Sequence, residues 1–70
     1  MKLKLKITPK QFDTLLLKNK MENVRDLAKL SGASRETIYL ILRGRNTNPA
    51  TANRIAQSLS KDTDKLFKVV

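Results

Sequence analysis

The chain contains no cysteine, no histidine and no tryptophan, and only one tyrosine and two phenylalanines. Without cysteine, neither a disulfide nor a thiolate-bound metal can brace the fold. Without histidine, the commonest metal ligand and the commonest general base at neutral pH are both missing. No apolar run is long enough to span a bilayer. Lys2, Lys4 and Lys6 interrupt any N-terminal stretch of the signal-peptide kind, so a soluble, intracellular protein is expected. Acidic residues are also scarce. Six Asp and Glu face 15 Lys and Arg, a formal net charge of +9 on 70 residues. A chain of this length makes one domain, spanning residues 1–70, and buries only about 60% of its unfolded surface. Its core must come from aliphatic side chains on a few packed helices. So large a cationic excess on so small a body favours a polyanionic partner, nucleic acid first and an anionic membrane surface second. The plainer reading is a basic protein with no such partner.

Residues 2–7 read Lys-Leu-Lys-Leu-Lys-Ile. This strict alternation is the period of a half-buried strand, with Leu3, Leu5 and Ile7 towards the core. The end of the chain, Leu66 to Val70, offers a short strand to lie beside it. Thr8-Pro9 opens a first helix. Threonine suits the N-cap, proline suits the first helical position, and Gln11 completes a capping box. Phe12, Leu15 and Leu16 form its buried stripe, and the helix should fade by Asn19 or Lys20. Asn23 caps a second helix with Val24, Leu27, Ala28 and Leu30 as its apolar face, ended by Gly32 in a left-handed turn. Ser34 caps a third, buried through Ile38, Ile41 and Leu42 and stopped by Gly44. Asn48-Pro49 starts a fourth, with Ala52, Ile55, Ala56 and Leu59 inward. Asp62 or Thr63 caps a last short turn carrying Leu66 and Phe67. The expected architecture is a compact all-α domain of four or five short helices, with a short N-terminal strand pairing with the C-terminal end.

The segment of about residues 24–43 carries the functional signal. Two helices of about eight residues are separated by Gly32-Ala33-Ser34. Ala28 is small enough for the helices to cross closely, Gly32 takes the left-handed turn, Ala33 tucks between the helices, and Ile38 and Ile41 anchor the second one. That is the sharp corner of a helix-turn-helix. Its second helix can enter the major groove while the first crosses the backbone.

The run Leu27-Ala-Lys-Leu-Ser-Gly-Ala-Ser34 followed by Arg35-Glu-Thr-Ile-Tyr-Leu-Ile-Leu-Arg-Gly44 resembles the helix-turn-helix of the Cro and phage-repressor (xenobiotic-response-element) family. It is also similar to the headpiece of Lac-repressor-type proteins. The downstream stretch from Asn48-Pro49 to Leu66-Phe67 is similar to the family's usual ending, so the likeness covers roughly residues 7–68. It implies a sequence-specific DNA-binding regulator, a repressor or activator, in the cytoplasm of a bacterium or phage-infected cell, with no cofactor. Carried over residue by residue, Ser34 and Arg35 lie nearest the DNA, and Arg35 can donate two parallel hydrogen bonds to guanine. Glu36 would accept from a cytosine amino group. Tyr39 and Leu40 would face the groove one turn later. Lys29, Arg43, Arg45 and Thr37 suit phosphates, as do Asn23 and the N-terminus of its helix. The chain departs from the family pattern at Val24, where glutamine is common, at Leu40, where a polar or basic residue is usual, and at Ser31, where an apolar one is preferred.

These departures support a second reading. Val24, Tyr39 and Leu40 would then form an apolar docking patch for another repressor protein, as in antirepressors and modulators of repression. The plain alternative for the whole motif is a helical corner that binds nothing, and for Arg35 a solvated first-turn arginine beside Glu36 or Asp26. Lys2 to Lys6 are either the solvated face of an edge strand or a basic arm reaching DNA. A homodimer is expected on DNA, because one small module buries only about 600–1,000 Å² there. Phe67, Val69 and Val70, or a symmetric strand pair through residues 2–7, would supply its contact. No nucleophile–base pair, metal cluster or phosphate loop suggests an enzyme. Asp62 and Asp64 read as helix caps.

Overall fold

The computed structural model describes residues 1–70 as β1 (Leu3–Leu5), α1 (Pro9–Lys18), α2 (Val24–Ser31), α3 (Arg35–Leu42), α4 (Pro49–Ser58), α5 (Thr63–Leu66) and β2 (Phe67–Val69). The helix starts follow local cap chemistry. At α1 the Thr8 side chain accepts the Gln11 N–H at 3.1 Å, and the Gln11 side chain accepts the Thr8 N–H at 2.9 Å. Asn23 caps α2 through the Asp26 N–H, and Asn48 caps α4 through the Thr51 N–H. Each such cap stabilises by about 1 kcal/mol. At α5, Asp62 occupies the cap position but makes no side-chain capping bond. Thr63 instead donates its hydroxyl proton to the Asn53 side chain.

The helix ends are tied together. Asn19, beyond α1, donates to the Leu15 and Leu59 carbonyls at 2.8 and 3.1 Å and accepts from the Ser60 hydroxyl at 3.0 Å. One amide side chain thus serves the C-terminal ends of both α1 and α4. The next residue at each end, Lys20 and Ser60, is left-handed, with φ of 61° and 57°.

The two strands form an antiparallel pair with Leu3 opposite Val69, Lys4 opposite Lys68 and Leu5 opposite Phe67. On its other edge β1 exchanges two backbone hydrogen bonds with Thr47, Leu3 N–H to Thr47 O at 2.8 Å and the return bond at 2.7 Å. β1 is therefore flanked on both sides, and the symmetric strand pair through residues 2–7 expected for a dimer has no free edge at Leu3.

The core is continuous. Phe12, Leu27, Ile38, Ile55 and Leu59 are its largest fully enclosed side chains, with Leu16, Met21, Val24, Ile41, Leu66 and Phe67 around them. Leu5, Ile7, Leu15, Ala28 and Leu42 pack against this cluster at half-burial. α2 packs on α3 and α4, and α4 on α5. Two expected positions differ. Leu30 is 64% exposed, while Ser31 is buried. With 100° between residues, Val24, Leu27, Ala28 and Ser31 fall on one stripe at i, i+3, i+4 and i+7, and position i+6 lies off it. Phe67 is buried at 3% exposure, so of the C-terminal residues expected at a dimer contact only Val69 and Val70 are exposed. No helix is long and apolar enough to cross a membrane.

Candidate nucleic-acid interface

The corner between α2 and α3 is built from three residues. Gly32 has φ 77° and ψ 2°, and its N–H donates to the Ala28 carbonyl at 3.0 Å. A side chain at this φ is strained for most L-residues, whereas glycine adopts it freely. Ala33 is turned inward, and its N–H donates to the Ser31 hydroxyl oxygen at 3.3 Å. This bond gives buried Ser31 a purpose that an apolar residue could not supply. Ser34 is extended, and its Oγ accepts the Thr37 N–H at 3.1 Å. The chain thereby leaves α2, reverses its handedness for one residue and re-enters a capped helix.

Ile38 and Ile41 are buried and pin α3 to the body. At 100° per residue, Arg35, Tyr39, Arg43, Glu36 and Leu40 follow one another around an outward arc of about 140°. Arg35, Glu36 and Arg43 are exposed, Tyr39 is half exposed at 50%, and Leu40 is half-buried at the edge of the arc. These five residues line one shallow depression. A second depression, sharing Arg35, is lined by Arg25, Ala28 and Lys29 of α2. Three cations, Arg25, Lys29 and Arg35, therefore surround a floor made by a small residue. Lys29 and Arg35 are expected from the sequence as DNA contacts, whereas Arg25 joins them only in the folded chain. Its spacing, i, i+4 from Lys29, was the available signal.

The two hydroxyls at the start of α3 are hydrogen-bonded to each other. Ser34 Oγ donates its proton to Thr37 Oγ1 at 2.8 Å while accepting the Thr37 N–H. The bond between the two hydroxyls uses one of their two protons, so one remains to donate to a phosphate. At the start of α2, Asn23 Oδ1 is occupied by the cap, leaving its amide N–H₂ to donate. The Asp26 carboxylate lies at the same end and accepts the Glu22 N–H at 3.0 Å. An anion approaching there meets that negative charge, which weakens the phosphate contact expected at this helix end. Beyond α3, Arg43 and Arg45 are exposed, and the Arg45 N–H donates to the Leu40 carbonyl at 3.0 Å. Cations at this end also complement the helix dipole.

Two elements of the docking-patch reading change. Val24 is buried at 7% exposure among core side chains, so it offers no surface to a partner. Leu40 presents only part of its side chain. Between Asp26 and Asp62 the chain contains a single acidic residue, Glu36, against Lys29, Arg35, Arg43, Arg45, Arg54 and Lys61. On the two depressions that flank α3, Arg25, Lys29, Arg35 and Arg43 are cationic and Glu36 is the one acidic residue. Compared with protein-family models, with curated proteins and with solved structures, the chain matches none.

Proposed function

We propose that this chain is a sequence-specific regulator that binds double-stranded DNA by laying α3 in the major groove. The observation that carries the reading is the outward arc of α3, with Arg35, Tyr39 and Arg43 exposed and with Arg25 and Lys29 flanking Arg35. A helix of about 10–12 Å diameter fits a groove about 12 Å wide. Arg35, in the first turn, reads guanine through its paired N–H groups, and Glu36 accepts from cytosine. Arg25, Lys29, Arg43, Arg45 and the Thr37 hydroxyl hold phosphates, fixing register without reading sequence. The sequence resemblance of residues 7–68 to Cro-type and phage-repressor domains is in line with this reading, which would place the protein's action in the cytoplasm. Two copies on half-sites about one helical turn apart would complete the complex.

Docking on a partner repressor protein is the weaker reading, because it drew on Val24, which is buried. The decisive experiment is a titration of labelled generic duplex by fluorescence anisotropy at 50 and 200 mM salt. Six to ten phosphate contacts should lower affinity roughly 10³–10⁵-fold across that range. Selection from random duplexes then yields a preferred site, and Arg35→Ala should lower discrimination at one base pair by about 1–3 kcal/mol. Absence of binding at 50 mM salt refutes the proposal.

A further inference from the structure

We propose that the outer face of the β1–β2 ladder is a second phosphate-binding surface, which holds the DNA backbone beside the groove that α3 occupies. This rests on the DNA-binding reading above. The alternation of residues 2–6 sends Lys2, Lys4 and Lys6 to one side of β1, with neighbours about 6.6 Å apart, and Leu3 and Leu5 to the other. Register places Lys68 of β2 directly opposite Lys4. Partners in register share a face, so two lysines of like charge rise from directly opposed positions, a pairing that disfavours a ladder. No carboxylate relieves it from within the strands. Residues 1–12 and 65–70 contain no Asp or Glu at all. A polyanion supplied from outside is the partner that turns this opposition into attraction.

The lysine face also runs into the end of α3. Gly44 lies between Arg43 and Arg45 with φ 100°, and a Cβ placed there would meet Lys4 Cε at 3.7 Å. The Lys4 stem therefore lies against the turn that ends α3. Lys2, Lys6 and Lys68 are exposed. Residues 2–6 form no free arm, since Leu3 bonds to Thr47 and Lys6 bonds to Leu66. A duplex seated on α3 would present its flanking phosphates to a row of lysines carried on an ordered strand pair. A membrane surface fits less well, because this face carries no aromatic residue to insert.

The test compares wild type, the double variant Lys4→Gln/Lys68→Gln, the single variant Lys68→Gln, the double variant Lys4→Arg/Lys68→Arg and, as a control on α3, Arg35→Ala. Each is titrated with generic duplex from 50 to 200 mM salt, with the site selected from random duplexes and with phosphatidylglycerol vesicles, and melted thermally. With about 0.9 released counterion per phosphate contact, the double Gln variant should reduce the slope of log affinity against log salt by about 1.8. Its loss of affinity over this fourfold change in salt should then be about 12-fold smaller than that of wild type. The single variant should reduce the slope by about 0.9. The Arg double should keep the wild-type slope. The melting midpoint of the Gln double should hold or rise, because the opposed charges are gone. An unchanged slope in the Gln variants, with wild type binding and Arg35→Ala losing discrimination, overturns the ladder surface and leaves the α3 reading standing. An unchanged slope together with weakened binding to phosphatidylglycerol vesicles overturns it in favour of a membrane face. Failure of wild type to bind duplex overturns both proposals.

Discussion

Replacing Gly32 by alanine isolates the conformational demand of the corner. Gly32 has φ 77°, and a Cβ built on it would meet no heavy atom within 4 Å. The substitution therefore introduces backbone strain without a clash. An L-residue in the left-handed region costs about 1–2 kcal/mol. Alanine also restricts the unfolded chain, which offsets about 0.4–1 kcal/mol. The net loss should be about 1 kcal/mol, equivalent to a fall of roughly 4–8 °C in Tm for a domain of this size. Gly32→Asn should lose less, since asparagine tolerates this region better. Urea denaturation followed by circular dichroism gives the midpoint and m-value for all three proteins. DNA affinity measured well below the midpoint should stay at the wild-type level, because no neighbour has to move. An alanine variant as stable as wild type would refute the left-handed corner. A loss above about 4 kcal/mol would exceed what backbone strain alone explains and would refute the open space around it.

Other positions give independent checks. Ile38→Ala removes a fully buried side chain, so urea denaturation should show a loss of about 2–5 kcal/mol. That is a large share of the roughly 3.5–10 kcal/mol expected for a chain of this length. Leu30→Gln should change stability by no more than about 0.5 kcal/mol, because the site is exposed. Ser31→Leu should destabilise by about 1–3 kcal/mol through overpacking and the lost Ala33 bond, and equal effects at the two positions would reverse the assigned burial. Arg25→Gln should reduce the salt slope of DNA binding by about 0.9 without altering base preference. A changed base preference would place Arg25 at the bases instead of the phosphates.

Much of the helical framework was legible because its signals are local. Thr8-Pro9, Asn23, Ser34 and Asn48-Pro49 each specify a helix start within four residues, and the observed caps use those side chains. The pairing of β1 with the C-terminal end was also legible, through the alternation of lysine and leucine at one end and a second apolar run at the other. What escaped was non-local or depended on helical phase. The bridge from Leu3 to Thr47 joins distant residues with no shared pattern. The Asn19 link to Leu59 and Ser60 requires knowing that two helix ends meet. Leu30 has the residue type of a core position, but the 100° step sets it off the buried stripe. Phe67 looked like an exposed terminal residue until the strand register placed it beside Leu5 on the core face. At the candidate interface, the residue types were readable, but the meeting of Arg25 with Arg35 was not, because it depends on how closely α2 and α3 cross at Ala28.

The strand pair has a consequence for how the molecule assembles. Lys2 accepts the Val70 N–H at 3.1 Å, so the ladder joins nearly the first residue to the last. Closing a loop that long in an otherwise unfolded chain carries an entropy penalty on the order of 4 kcal/mol, which cancels about what a few strand bonds return. The ladder therefore forms late, after α2 has docked on α3 and α4 and brought the ends together. Contact order is low among the helices and high at this one seam. During synthesis the helices can collapse as they emerge and Leu3 can meet Thr47, whereas the β2 side of Leu3 and Leu5 stays uncovered until residues 66–70 leave the ribosome. A chain cut short before Phe67 would hold an uncovered, lysine-studded strand whose remaining edges invite pairing with another copy.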